Sequence, residues 1–164
     1  MSATAAAGVI APLPALARVA LVGNPNTGKT TLFNHLCGAR AKVANFPGTT
    51  TTIRAGRCEL SGRQVEVLDL PGGYDLRDRS PETRITRDLL TGGSSGAPPD
   101  AVLVLVDACN LTRNLVLVGE LVAFGRPVVV ALNMMDLASR RGLSIGAGRL
   151  SRSPGVQVGP TVGG

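Results

Sequence analysis

Eight consecutive residues, Gly23-Asn24-Pro25-Asn26-Thr27-Gly28-Lys29-Thr30, carry the densest chemistry in the chain. A glycine, four intervening residues and then Gly-Lys-Thr form the P-loop pattern, here directly after an apolar, β-branched run and before a helical one. The glycines let the backbone curl until successive N–H groups face one phosphate, and the N-terminus of the following helix adds partial positive charge. In that arrangement Lys29 bridges the β- and γ-phosphates and the Thr30 hydroxyl ligates Mg²⁺, with Thr31 next to them in the nucleotide-binding set. Only Lys29 and Lys42 are lysines among 17 basic residues, so a lysine at the motif position is informative. A glycine-rich turn that merely joins strand to helix would not need the complete pattern.

A second group is Asp69-Leu70-Pro71-Gly72. It follows an apolar run, and a carboxylate at the carboxyl end of such a strand faces the same crevice as the P-loop. Asp69 is then placed to hold magnesium through water, and Gly72 to offer its backbone N–H to the γ-phosphate at close approach. Alone, the tetrapeptide is equally an ordinary strand-end turn; paired with the P-loop it defines a nucleoside-triphosphatase. A third group, Asn133-Met134-Met135-Asp136, matches the Asn-x-x-Asp guanine motif. The Asp136 carboxylate accepts both N–H donors of guanine's Watson–Crick edge, a pair that adenine does not present, which favours GTP over ATP. Met134 stands where GTPases usually carry lysine, and its apolar stem can lie against the base. A polar helix cap after a strand is the rival reading of this motif.

The elements that must position these groups follow from the hydrophobic pattern. Apolar runs at Arg18 to Val22, Val65 to Leu70, Ala101 to Val106 and Pro127 to Leu132 predict buried strands. Lys29 to Cys37, about Pro81 to Leu90, and Leu111 to Phe124 predict helices between them. Ile53 to Leu60, followed by Ser61-Gly62-Arg63, predicts a hairpin with the Val65 strand and hence an antiparallel pair. The predicted class is α/β, a mixed but mostly parallel sheet with helices on both faces. Thr91 to Pro99 is a Gly/Ser/Pro-rich connector inside the domain, and only Gly155 to Pro160 hints at one more strand after Arg141. No final covering helix is predicted. Residues 1–16, rich in Ala and Pro without a basic start, are expected to be a disordered leader rather than a secretory signal, with one domain over 17–164 that becomes irregular after 141.

Composition narrows the class. Apolar residues make up 44 % and charged ones 17 % of 164 residues, with one Tyr, three Phe and no Trp, so the core is built from Val, Leu and Ala. The longest apolar stretches fall well short of the roughly 20 residues of a spanning helix. Cys37, Cys58 and Cys109 are too far apart in sequence for zinc or iron–sulfur spacing and are expected to be buried structural thiols. His35 is the single histidine and lacks partners for nucleophilic or metal chemistry. The net charge of +6 favours anionic partners without choosing among nucleotides, acidic lipids and RNA.

The segments GNPNTGKTTLFNHLCG, NFPGTT, DLPGGYDL, VDACNLTRNLVL and PVVVALNMMD resemble, in order and spacing, their counterparts in the bacterial ferrous-iron transport protein B family. The likeness runs from about Val19 to Arg141. It implies a Ras-like G domain of the P-loop NTPase class, with GTP and GDP as ligands and Mg²⁺ as cofactor. It also implies a first switch loop at Asn45-Phe46-Pro47-Gly48-Thr49-Thr50, in which Thr50 caps Mg²⁺ and the γ-phosphate, with Thr49, Thr51 and Thr52 as neighbouring alternatives. Asn26 is implied as a ligand of a K⁺ ion that speeds hydrolysis. The fifth nucleotide motif, normally Ser-Ala or similar, falls on Thr161 and Val162, and departs from the family pattern there.

Lys29, Thr50 and Gly72 are the implied catalytic groups. Where Ras-like proteins place a water-orienting glutamine this chain has Gly73, so slow intrinsic turnover is expected. The family's helical spacer and membrane region, which conducts ferrous iron, are not in this sequence. The G domain is therefore expected to be cytoplasmic, at the inner face of the inner membrane when joined to its transporter region, and to regulate transport; oligomers are compatible with it. The alternatives are an RNA- or ribosome-associated GTPase module and an inactive gene fragment. Against RNA stand the lack of an aromatic stacking platform and of any basic cluster longer than Arg140-Arg141.

Overall fold

The computed structural model describes residues 16–45, 51–73, 75–93, 97–150 and 156–161. Most of the expected leader, much of the first switch loop (46–50, including Thr50) and Val162 lie outside them.

The chain runs β1 (Ala17–Gly23), α1 (Lys29–Cys37), β2 (Lys42–Asn45), β3 (Thr52–Leu60), β4 (Arg63–Asp69), α2 (Pro81–Thr91), β5 (Ala101–Asp107), α3 (Leu111–Ala123), β6 (Val128–Asn133), α4 (Met135–Arg140), α5 (Ala147–Leu150) and β7 (Val156–Pro160). The seven strands form one sheet in the order β2-β3-β4-β1-β5-β6-β7. β4, β1, β5, β6 and β7 are parallel, while β2 and β3 run antiparallel at one edge. The mixed, mostly parallel sheet read from the sequence is thus observed. Three elements were not anticipated: the short edge strand β2 and the short helices α4 and α5.

Period-two alternation explains the two layers. Ala17 and Leu21 of β1 join Phe33 and Cys37 of α1, Cys58 of β3 and Val65 and Val67 of β4 in one buried cluster. Ala20 and Val22 of the same strand point the other way, into a larger cluster with Ile85, Leu89 and Leu90 of α2 and Leu117, Val118 and Leu121 of α3. Helices therefore cover both faces. On the α1 side, Val129 of β6 is left exposed.

Local signals set the helix ends. Ser80 caps α2 by accepting from Thr83 N–H at 3.3 Å, and Pro81 occupies the first turn, where a missing N–H does no harm. Gly92 closes the helix in the left-handed conformation at φ 73°. The seat of α1 depends on Gly56 of β3. A Cβ there would lie 2.5 Å from Cys37 Cβ, 2.6 Å from its Sγ and 3.3 Å from Phe33 Cζ, so only glycine lets the helix settle onto the sheet.

Candidate nucleotide-binding site

β1 is the central strand, and the chain leaves its carboxyl end between β4 and β5, where open α/β sheets place ligands. The turn that follows spans residues 24–28 and is held from within by the Thr27 hydroxyl donating to Asn24 O at 2.9 Å. Asn26 (φ 64°) and Gly28 (φ 90°) are left-handed, which curls the loop back on itself. Asn24, Pro25, Asn26, Gly28, Lys29, Thr30, Thr31 and Gly72 line an open cleft of about 450 Å³, within the usual range for a small-molecule site. Asn24 is buried, with both side-chain amide atoms unpartnered among the described residues, whereas Asn26, Thr30 and Thr31 are exposed at the mouth.

Lys29 stands where the P-loop pattern places it. It is the first residue of α1, its side chain is only 14 % exposed, and its ammonium binds Asp69 Oδ1 and the Leu70 carbonyl, the latter at 2.8 Å. The reason is topological: β1 and β4 are parallel neighbours with Leu21 opposite Asp69, so the strand-end carboxylate lies beside the start of α1. Thr30 and Asp69 together offer a hydroxyl and a carboxylate, the hard oxygen donors that suit Mg²⁺. Asn26 offers one exposed amide oxygen for a larger monovalent cation.

The guanine motif is tied to the phosphate loop. Asn133, the last residue of β6, donates Nδ2 to Thr27 O at 2.9 Å. Met134 follows at φ 60° and opens α4 without any side-chain cap, so Asn133 serves the P-loop and not the helix, contrary to the rival reading of this motif as a cap. Asp136 projects with a side chain 74 % exposed, and Arg140 lies 4.0 Å from its carboxylate. Thr161, just after β7, donates its hydroxyl towards Leu132 O at 3.1 Å and Asn133 Oδ1 at 3.2 Å, which brings the fifth-motif position against the base motif. Asn45, the described end of the first switch segment, is exposed at the end of β2 opposite Thr52. The structure thus gathers Lys29, Thr30, Asp69 and Gly72 at one mouth and Asn133, Asp136 and Thr161 beside it.

Two further groups were not seen in the sequence. Arg54 of β3 faces Asp69 across the β3–β4 ladder, with Nη1 4.0 Å from Oδ2. Its register follows from a two-residue hairpin at Ser61-Gly62, a countable signal in the sequence. Glu120 of α3 reaches the loop beyond Gly72: Leu76 N–H donates to its Oε2 at 2.6 Å, and Arg77 Nε lies 2.8 Å from its Oε1 as an ion pair. Arg77 also grips both oxygens of Asp75, each at 3.0 Å. These bonds from Arg77 pull the Asp75 carboxyl from its ordinary 3.8 down to about 2, whereas burial pushes Glu120 up from 4.5.

His35 is exposed on α1. Cys37 and Cys58 are buried, hydrogen-bonded to each other and raised in pKa by burial, while Cys109 is only half-buried. No cluster of three metal-ligating side chains occurs among the described residues.

With this geometry in view, the relatives are informative. A family model described as Ferrous iron transport protein B matches residues 17–164. An Fe(2+) transport protein A/Fe(2+) transporter FeoB fusion protein of Porphyromonas gingivalis is 44 % identical over 146 residues, covering 89 % of this chain and 17 % of that protein. The Fe(2+) transporter FeoB of Escherichia coli O157:H7 is 40 % identical over 144 residues, covering 88 % of this chain and 19 % of its own length. The chain thus spans about a fifth of these relatives.

Among solved structures, a mutant S. thermophilus NFeoB bound to GDP superposes with a TM-score of 0.80 at 41 % identity, over 88 % of this chain and 55 % of that one. The G domain of the T. maritima FeoB iron transporter superposes at 0.78 with 34 % identity, over 89 % and 87 %. A P-loop at the end of a central strand, an Asp-x-x-Gly segment facing it and an Asn-x-x-Asp motif stitched to it make this a P-loop GTPase fold, and the chain belongs to the ferrous iron transport protein B family as its N-terminal G domain.

Proposed function

We propose that this domain binds GTP and GDP with Mg²⁺, hydrolyses GTP slowly, and regulates ferrous iron transport as part of a membrane transporter. The observation that carries the reading is the meeting of Lys29 with Asp69 at the carboxyl end of the sheet, beside a base motif bonded to the same loop. The GDP named for the S. thermophilus relative supports a guanine nucleotide as the ligand.

In the proposed site the loop N–H groups and the start of α1 surround the β-phosphate. Lys29 exchanges Asp69 for the phosphate oxygens, and Asp136 accepts from the guanine edge. Thr30, and Asp69 through water, would hold Mg²⁺, which would supply charge neutralisation for the phosphates. Water adds to the γ-phosphorus as its bond to the bridging oxygen breaks, giving GDP and phosphate; with glycine at position 73, no side chain at that position orients the water. Thr50 as the switch cap and Asn26 as a K⁺ ligand belong to the same proposal.

Among the described residues no helix is long and apolar enough to cross a membrane, so in this reading the domain acts as the regulator and the membrane region as the conduit. Calorimetry with GTP, GDP and ATP, followed by phosphate release in K⁺ and in Na⁺, tests this. Binding of guanine nucleotides but not ATP, and faster turnover in K⁺, are expected. Equal affinity for ATP would overturn the base assignment, and equal rates in the two salts the potassium role.

A further inference from the structure

Asp69 is a buried carboxylate, its side chain 7 % exposed, with two cations in reach. Lys29 holds Oδ1, and Arg54 Nη1 stands 4.0 Å from Oδ2. The two cations are mounted differently. Lys29 sits on a flexible four-carbon stem that must swing away from Asp69 to reach a phosphate. Arg54 is tethered at three points: its Cα is the ladder partner of Asp69, its guanidinium lies 4.5 Å from the centroid of the fully buried Phe33 ring, and its Nη2 donates to Asn34 Oδ1. Backbone register, stacking on the ring and the Asn34 acceptor all favour its charge beside the carboxylate.

We propose that Arg54 is a positioning residue for the magnesium-binding carboxylate, a permanent counter-charge to Asp69 that frees Lys29 for the phosphates; this rests on the reading of the cleft as a guanine-nucleotide site. A buried carboxylate left without a partner is strongly unfavourable. When Lys29 turns to the nucleotide, Arg54 is the charge that stays. Mg²⁺ brings positive charge to the same carboxylate, so the metal and Arg54 partly substitute for each other. Loss of Arg54 then has two effects of one sign. Without metal, nucleotide binding strands Asp69 and weakens; with metal, Mg²⁺ supplies the missing charge and binds without a cation repelling it. The ratio of the GDP dissociation constant without Mg²⁺ to that with Mg²⁺ therefore rises.

The experiment titrates wild type, Arg54→Leu and Arg54→Lys with fluorescently labelled GDP, once in excess chelator and once in saturating Mg²⁺, after thermal melts confirm folding. The ratio is expected to grow about tenfold or more in Arg54→Leu, in the range of ordinary coupling between two sites, and to return towards wild type in Arg54→Lys, which keeps the charge. Weakening of both arms by the same factor in Arg54→Leu would reveal a purely structural residue and overturn the proposal. If Arg54→Leu does not fold, Arg54→Gln carries the same comparison: a raised ratio supports the proposal, and equal weakening of both arms overturns it. A wild-type protein that binds GDP in neither condition overturns the nucleotide-site reading itself, an outcome distinct from an unchanged ratio in a protein that binds.

Discussion

The side-chain amide of Asn133 and the main-chain carbonyl of Thr27, 106 positions apart in the chain, are joined by a hydrogen bond of 2.9 Å. The P-loop and the loop that carries the Asn-x-x-Asp motif are thereby one unit, and a change in either moves both. Asn133→Ala leaves the Thr27 carbonyl without its partner, at about 1–3 kcal/mol for a buried group. Calorimetry should show GDP affinity lower by about tenfold or more.

Gly28 is pressed against that same amide. An added Cβ would lie 2.6 Å from Asn133 Nδ2, on a backbone at φ 90° that disfavours any side chain. Gly28→Ala should abolish measurable GTP binding. Because Asn133→Ala removes the clashing atom, the double variant should lose less than the sum of the two single losses, which a double-mutant cycle on melting temperature reads directly.

Lys29→Ala tests the phosphate site in a way sharpened by the burial of its partner. The substitution leaves Asp69 with Arg54 alone at 4.0 Å, so the folded state should weaken by about 1–3 kcal/mol in chemical denaturation while nucleotide affinity falls far more. Unchanged GTP binding would remove Lys29 from the phosphate site.

Asp136 is the opposite case, an exposed carboxylate whose 4.0 Å approach to Arg140 adds little to stability. Asp136→Asn should shift unfolding free energy by less than about 0.5 kcal/mol, as surface changes do. Its effect should appear in specificity: a donor replaces an acceptor, GTP weakens and xanthosine triphosphate gains relative to it, measured by competition for the site.

The carboxylates beyond Gly72 predict a pH dependence with two opposed parts. Asp75, lowered to about 2, contributes stability above its ordinary 3.8 that is lost as pH falls towards 2. Glu120, raised from 4.5 by burial, contributes most below that value and loses its contribution as pH rises through the higher folded value. Glu120→Gln keeps an acceptor for Leu76 N–H and cannot ionise. Melting temperatures from about pH 4 to 7 should therefore show wild type losing ground to Glu120→Gln as pH rises. A constant difference would mean that Glu120 does not titrate abnormally.

The β-branched runs were legible because buried strands announce themselves by composition, and Lys29–Cys37 was read to the residue because a P-loop defines where its helix begins. β2 escaped notice: Lys42-Val43-Ala44-Asn45 is too short to show alternation and exists because β3 offers it an edge. α4, six residues long, is below the length at which helical periodicity can be counted. Arg54 was within reach of arithmetic, since the turn Ser61-Gly62 pairs Leu60 with Arg63 and so fixes Arg54 opposite Asp69. The bond from Asn133 to Thr27 and the reach of Glu120 to Leu76 had no local signal, since each joins elements that only the folded sheet brings together.

Gly56 turns the chemistry of the P-loop into a problem of volume at the opposite end of a rod. α1 runs nine residues, about 13 Å at 1.5 Å per residue, with Lys29 at one tip and Cys37 at the other. A single methyl group grown from position 56 would wedge up the Cys37 end, and a stiff rod tilts as a whole, carrying the lysine off its mark. The permissible sequences at this position are thus set by a lever arm, and a residue that touches no ligand holds a veto over ligand geometry.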